Sequence, residues 1–325
     1  IARSGVDPMQ VGQVVFGHVI NTEPRDMYLS RVAARSAGVP ETTPAMNVNR
    51  LCGSGAQAIV STMQALMLGD AEIALAGGAE CMSRAPYALQ SARFGQKMGD
   101  TKMLDMMTGA LTCPLGTGHM GVTAENVAAI YGITRAEQDS FALESQSRAA
   151  RAIAEGCFID QIVPIELSGR KGAVNFAVDE HPKATTIEAL AGLRPAFLKD
   201  GTVTAGNASG INDGAAALVL ARGDVAGTAP LARIMGYALA GVDPKVMGLG
   251  PIPAVQQLCR KLGMKPSDFD VVESNEAFAA QAIAVSRDLG LDPAKVNPHG
   301  GAIALGHPVG ATGALLAAKA LSELQ

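Results

Sequence analysis

Apolar and polar positions along the chain change their period several times, and each change predicts an element. From Val11 to Ile20, β-branched residues crowd together as in a strand, whereas Asp26 to Ala37 spaces its apolar residues as a helix does before the stop Gly38-Val39-Pro40. A short extended stretch, Ala45 to Leu51, precedes a helix from Ser54 to Leu68. In that helix Ile59, Val60, Met63, Leu66 and Met67 recur at helical spacing until Gly69-Asp70. Ile73 to Ala76 is an apolar run of the buried-strand kind, ending at Gly77-Gly78. The opening therefore alternates strand and helix, as α/β folds do.

From about Met82 to Asn207 the texture becomes irregular, glycine-punctuated and more charged, as expected of an insertion. One helix stands out there, Thr134 to Ala154, because Thr134-Arg135-Ala136-Glu137 spells a capping box. Ala215 to Ala221 returns to a buried strand, and a second strand-rich region is expected from near Leu231. Phe269 to Glu273 reads as a strand, Ala277 to Leu289 as a helix, and Ala311 to Leu324 as another helix after the glycine-rich stretch Gly300 to Gly310. A faint repeat links the two ends: Cys52-Gly53-Ser54-Gly55-Ala56 and Gly310-Ala311-Thr312-Gly313-Ala314 each open a helix, and positions two to five are small, hydroxyl, Gly and Ala. The coarse reading is a duplicated βαβ-type fold with an inserted domain.

Composition narrows the function classes. Over 325 residues, 48% are hydrophobic and only 17% charged, below the roughly 25% of an average soluble domain, so much of the surface is expected to be subunit interface. The balance of 26 basic against 30 acidic residues, with no basic run, gives no footing to a nucleic-acid partner. Continuous apolar runs such as Ala215 to Ala221 fall far below the roughly 18 residues of a spanning helix, so no membrane segment is expected. The five cysteines, Cys52, Cys81, Cys113, Cys157 and Cys259, are widely spaced and form no C-x-x-C pair. Neither a disulfide framework nor a metal site is indicated, and a reducing cytoplasm is the expected location. The chain opens at Ile1 in what reads as the end of a helix, without Met or a leader, so its N-terminus is expected to be cut.

Candidate chemistry centres on Cys52, which lies between an extended segment and a helix start and is flanked by Gly53 and Gly55. Glycines permit the sharp turn that lifts a side chain out of a sheet, and the helix dipole there favours a thiolate. A small buried residue packed at a strand-helix junction would have the same local pattern. The best base is His307, in Gly306-His307-Pro308-Val309-Gly310, where imidazole can take a thiol proton near neutral pH. The other four cysteines read as packing residues. Asn275 opens the helix after Phe269 to Glu273 and reads as its N-cap, compatibly with a polar site role. Gly206-Asn207-Ala208-Ser209-Gly210 is a polar turn also suited to presenting backbone amides to an amide-containing ligand. Gly116-Thr117-Gly118-His119-Met120-Gly121 has the G-x-G-x-x-G spelling, but Leu111-Thr112-Cys113-Pro114 is a poor strand to precede a dinucleotide loop. His119 fits a substrate pocket better.

Taken together, Asn49-Arg50-Leu51-Cys52-Gly53-Ser54-Gly55, Asn275-Glu276-Ala277-Phe278, and Gly300 through Gly313 strongly resemble the thiolases, which are acyl-CoA C-acetyltransferases. The likeness runs from end to end and includes Gly121-Val122-Thr123-Ala124-Glu125-Asn126 and Thr204 to Gly210. The resemblance implies an α/β fold, a duplicated five-layer αβαβα arrangement with an inserted substrate-covering loop domain. It divides the chain into an N-terminal core half (1–81), the loop domain (82–207), a return to the first core (208–230) and an incomplete C-terminal core half (231–325).

By the same resemblance Cys52 is the acyl-accepting nucleophile, His307 the base that activates it, and Asn275 the holder of a water that helps His307 bind the thioester oxygen. His119, Met120, Leu111, Phe197, Ala208, Ser209, Met247 and Phe278 line the acyl and pantetheine channel. The implied substrates are CoA and acyl-CoA, with no bound cofactor or metal, in a homodimer or homotetramer. The family's second catalytic cysteine lies in a Cys-x-Gly motif beyond the helix that ends here at Gln325, so the chain reads as a thiolase trimmed at both ends. The leading expectation is thiolytic cleavage of a 3-ketoacyl-CoA, or the reverse condensation, through an acyl-cysteine. The alternatives are a non-catalytic or half-reaction acyl-CoA binding protein, and a decarboxylating condensing enzyme, which the Asn-Glu-Ala-Phe stretch disfavours.

Overall fold

A computed structural model describes residues 1–169, 172–225 and 229–325. The ranges 82–207 and 208–230 expected above each run through a few positions, 170–171 and 226–228, that lie outside the described residues. The chain divides into two compact units. The first comprises Ile1–Met120, Ile211–Ile234 and Pro308–Ala318, and the second Gly121–Gly210, Met235–His307 and Lys319–Gln325.

In the first unit a four-stranded sheet forms from β1 (Val11–Gly17), β2 (Ala45–Val48), β3 (Ile73–Cys81) and β4 (Asp213–Ala221), in the order β4-β3-β1-β2. β1 runs parallel to β2 and β3, and β4 runs antiparallel to β3. Alternation along the strands sends side chains to two faces, and each face is covered by a helix. Val14, Phe16, Ile73 and Leu75 pack with Ala34 of α1 (Leu29–Ser36). Ala74, Ala76 and Leu220 pack with Leu66, Ile59 and Met63 of α2 (Ser54–Leu68). The stretch Leu51–Leu68 has the length and hydropathy of a membrane span. Its buried stripe of Ala58, Thr62 and Leu66 makes it a core helix instead.

The glycines read as ending β3 lie inside it, since pairing with β4 continues to Cys81. A Cβ at Gly77 would stand 2.8 Å from the Phe16 ring, and one at Gly78 would strike the carbonyl of Gly310. Glycine at those two positions reflects close approach rather than a strand end.

α2 and the last helix, α7 (Thr312–Glu323), begin against one another. A Cβ on Gly55 would lie 2.6 Å from the Ala314 amide nitrogen, and a Cβ on Gly313 would strike the Ala56 amide. The contact is reciprocal: the fourth residue of each repeated pentapeptide meets the fifth of the other. The repeat read from sequence is therefore a structural one.

The second unit is mainly helical. α3 (Met120–Tyr131) is a helix the sequence reading placed in irregular chain, and it is buried on several sides by Gly121, Thr123, Ala124, Val127 and Ala128, so it shows little amphipathic period. α4 (Arg135–Ala154) starts as its capping box predicts, with Thr134 Oγ1 accepting from the Glu137 amide at 3.2 Å and Glu137 Oε2 from the Thr134 amide at 2.7 Å. α5 (Pro251–Leu262) and α6 (Ala279–Leu289) share a core of Ile252, Val285 and Leu289.

Two expected strands do not form. Phe269 to Glu273 makes only the bridge Val272 to Val296, and the described residues from Leu231 carry no strand. Leu231, Ile234, Met235 and Leu239 are exposed there, so residues of strand-like type do not by themselves make a strand.

Gly313→Ala should destabilise the protein by about 3 kcal/mol or prevent folding, because the new methyl meets backbone that cannot turn aside. Gly69→Ala, at φ +82° with nothing within 4 Å, should lose only about 1 kcal/mol. Urea unfolding of both variants checks the contrast, and equal losses would contradict it.

Candidate active site

In the first unit Cys52 sits just ahead of α2, at the end of a turn braced by its own side chains. Asn49 Oδ1 accepts from the Leu51 amide at 2.9 Å, while Ser54 Oγ accepts from the Arg50 amide at 2.8 Å and donates to the Leu51 carbonyl at 2.6 Å. Leu51 takes φ +47°, a left-handed conformation that a branched side chain adopts at a cost.

The thiol lines a small apolar pocket with Val19, Ile20, Leu51, Met82, Ala110, Leu111 and Val309. Burial pushes it up to about 11, the nearby Glu80 charge adds to the rise, and its own backbone amide opposes it. The sequence reading expected the helix dipole to favour a thiolate. Desolvation outweighs the dipole, and the resting group is a thiol.

Leu111 shares that pocket, and its carbonyl accepts from the Met120 amide at 2.8 Å. His119 pairs with Thr112 across a short hairpin, half-buried, and burial lowers its pKa. The G-x-G-x-x-G spelling belongs to this hairpin, where Gly116 and Gly118 take φ +89° and +94°. It is turn chemistry, with no preceding buried parallel strand.

In the second unit Asn275 and His307 come together, with Asn275 Nδ2 3.3 Å from His307 Nε2. The amide can only donate there, so Nε2 is the accepting nitrogen of a neutral ring. His307 is buried, and burial lowers its pKa to about 4. Asn275 Oδ1 is a buried acceptor with no hydrogen bond from the described residues.

Asn275 is not the cap of α6, which begins four residues later. Gln281, which the sequence reading missed, fills that role: its Oε1 accepts from the Phe278 amide at 3.2 Å and its Nε2 donates to the Asn275 carbonyl at 3.1 Å. Glu276 braces the other side. Its buried carboxylate accepts from Ser145 Oγ at 2.7 Å, Asn297 Nδ2 at 2.9 Å and the Ile303 amide at 3.3 Å, which ties Asn275 to the turn Ala302–Leu305 that leads into His307. Burial raises the Glu276 pKa against these hydrogen bonds.

Four of the expected channel residues also meet in this unit. The Phe197 and Phe278 rings pack edge to face at 6.0 Å, Ala208 bridges to Phe278, and Ser209 donates through its amide (3.0 Å) and Oγ (3.1 Å) to the Ala277 carbonyl. Met247 stands on the separate turn Pro244–Leu249.

Of the amides in Gly206 to Gly210 that were expected to face a ligand, three are engaged within the protein. The amides of Gly206, Asn207 and Ser209 already bond to Thr204 Oγ1, the Thr204 carbonyl and the Ala277 carbonyl. Buried Asn207 locks the loop through Asp139 Oδ1 at 2.9 Å. Among the described residues no group of three or more His, Cys, Asp or Glu side chains could hold a metal ion.

Residues 1–224 match the family described as "Thiolase, N-terminal domain" and residues 228–325 that described as "Thiolase, C-terminal domain". The chain is 59% identical to Beta-ketothiolase BktB of Cupriavidus necator, over all of this chain and 84% of that protein. It is 49% identical to the Acetyl-CoA acetyltransferase of Thiocystis violacea, again over all of this chain and 84% of the relative. Among solved structures it is similar to human mitochondrial 3-ketoacyl-CoA thiolase, with a TM-score of 0.97 and 45% identity over 99% of this chain and 83% of that one. The same human enzyme in complex with CoA gives a TM-score of 0.95 at 45% identity, over 99% and 82%.

The depressed pKa of His307 has a consequence for stability. The unfolded ring takes up its proton near pH 6.5, the folded ring only near pH 4, so between those values the unfolded state binds more protons and stability falls as pH falls. The loss amounts to about 3 kcal/mol for this one group. Unfolding free energies measured from pH 7 to pH 4 should therefore decline less steeply in His307→Asn than in the wild type. Parallel curves would contradict a buried neutral imidazole.

Proposed function

The chain belongs to the thiolase family, and on that premise we propose that it transfers acyl groups between CoA thioesters through Cys52. In one direction it cleaves a 3-ketoacyl-CoA with free CoA, and in the other it joins acetyl units from acetyl-CoA. The observation that carries the reading is Cys52 itself, a thiol held protonated in an apolar pocket at the start of a helix.

A thiol of that pKa needs a base to attack a carbonyl. His307, neutral at pH 7 and accepting at Nε2, has the required state. In the acyl-transfer step the Cys52 sulfur bonds to the thioester carbonyl carbon, the bond from that carbon to the CoA sulfur breaks, and the Cys52 proton passes through His307 to the departing CoA thiolate. Once protonated, Nε2 becomes a donor, and with the amide of Asn275 it can direct hydrogen bonds at the developing oxyanion.

His119, Met120, Leu111, Phe197, Ala208, Ser209, Met247 and Phe278 line the acyl and pantetheine channel in this reading, and residues 82–207 form the segment that covers the substrate. CoA and acyl-CoA are its ligands, supported by the likeness to the human thiolase solved with CoA, and it keeps no resident cofactor. The assembly is a homodimer or homotetramer, supported by the low charged fraction and by exposed large apolar residues such as Phe94 and Met98. The location is cytoplasmic, supported by five unpaired cysteines. A binding protein without turnover is disfavoured, since the relatives at 59% and 49% identity carry the names of enzymes.

Mass spectrometry after incubation with acetyl-CoA should place the acetyl group on Cys52. Acetylation confined to Cys81, Cys113, Cys157 or Cys259 would overturn the assignment. His307→Ala should lower kcat/KM by about 10²- to 10⁴-fold. A fall of less than about tenfold would assign the proton transfer to another group.

A further inference from the structure

Behind the Cys52 pocket, at the far end of β3, lies a carboxylate that the reaction as described does not use. The Glu80 side chain is fully buried, and it accepts three backbone N–H groups. Oε2 takes the Val19 amide and the Gly310 amide, each at 3.0 Å, and Oε1 takes the Ile20 amide at 3.1 Å. His18 stands beside it, with Nδ1 3.5 Å from Oε1, and donates from Nδ1 to the Ala79 carbonyl at 2.9 Å.

The donors belong to two separate stretches of chain. Val19 and Ile20 follow β1, and Gly310 precedes α7. Val19, Ile20 and Val309, the neighbour of Gly310, are also walls of the pocket that holds Cys52.

We infer that Glu80 is a positioning residue for the Cys52 pocket, whose single buried carboxylate fastens two of its walls together and sets the charge the thiol faces. Space at the junction fits this role. A Cβ on Gly310 would lie 2.6 Å from Glu80 Oε2 and 3.0 Å from the His18 Cα, so the segment can reach the carboxylate only through a residue without a side chain.

The chemistry fits as well. Three N–H donors and the imidazole favour the ionised carboxylate against the burial that opposes it, and burial is the larger effect on its pKa. When ionised, Glu80 also raises the Cys52 thiol. The ionisable side chain facing Glu80 is His18, from the end of β1, while the 308–310 segment contributes its Gly310 amide.

Glutamine at position 80 would keep the shape and remove the charge. It has one acceptor oxygen where the carboxylate has two, and its NH2 would have to face either the Ile20 amide or the Val19 and Gly310 amides.

The inference rests on Cys52 being the acylated residue, and the test is chosen to separate the two. Alkylation of Cys52 reports on the pocket whether or not the residue is ever acylated, and the acetyl-mapping experiment above reports on acylation alone.

In folded Glu80→Gln, the pH midpoint of Cys52 alkylation by iodoacetamide should move down by roughly half a unit or more, as removal of a neighbouring negative charge requires. The preference for iodoacetamide over bulkier N-ethylmaleimide at Cys52 should also fall several-fold as the walls loosen. A folded variant with the wild-type midpoint and preference overturns the inference, because a merely structural glutamate would alter stability and move neither.

If the variant does not fold, residue-resolved hydrogen exchange on the wild-type protein decides. The amides of Val19, Ile20 and Gly310 should be protected and exchange as one group. Exchange of Gly310 at an independent, much faster rate overturns the inference.

Discussion

The starts of two helices touch at their backbones, and much of the first unit is arranged around that contact. Gly55 of α2 and Gly313 of α7 each take the place of a side chain that would collide with the other helix's amide. Because the approach is this close, the residues just ahead of both helices are brought into one neighbourhood: the turn that carries Cys52 on one side, and Pro308 to Gly310 on the other. Gly310 in turn presses its carbonyl toward Gly17 at the end of β1 and Gly78 inside β3, so the sheet must lack side chains there too. A chain of small residues thus links the sheet, two helices and the Cys52 pocket, and adding one methylene anywhere along it would force a backbone to move.

Burial then decides the resting chemistry. It drives the thiol of Cys52 up and the imidazole of His307 down, both toward the uncharged form. Neither group carries charge at pH 7, so a free charge need not be held in an apolar setting between turnovers. Charge appears only when a proton leaves sulfur, and it is then most costly in the absence of a carbonyl that can accept the attack. In the proposed acyl transfer, a buried thiol of this kind resists idle reaction with small electrophiles and gives up its proton only on attacking a bound thioester.

What the sequence made legible follows the locality of the signal. α2 ends at Gly69 as read, because a left-handed cap needs only its own backbone, and α4 begins at its capping box because both partners lie within three residues. The Cys52 turn and the reciprocal glycine motif were also readable as local spelling. The failures came where a distant partner decided the outcome. β3 runs on through Gly77 and Gly78 because β4, more than a hundred residues later, pairs with it. Phe269 to Glu273 has the composition of a strand and only one bridge to complete it. Glu80 and Gln281 carry no motif; a lone acid inside a buried strand was the available signal for the first, and nothing but geometry could reveal the second. The rise of the Cys52 pKa was equally hidden, since desolvation depends on residues from Val19 to Val309 that are scattered along the chain.

Leu51 shows how such a site constrains what the protein can become. Its left-handed backbone is a strain of about 1–2 kcal/mol that glycine would relieve. Selection for stability alone would therefore favour glycine at that position. Yet the leucine side chain is itself a wall of the pocket beside the thiol, and glycine would remove that wall and loosen the turn. An engineered lineage ranked only by melting temperature would drift toward a tougher protein with a less sharply aimed sulfur, and position 51 is where that divergence between robustness and catalysis would first be visible.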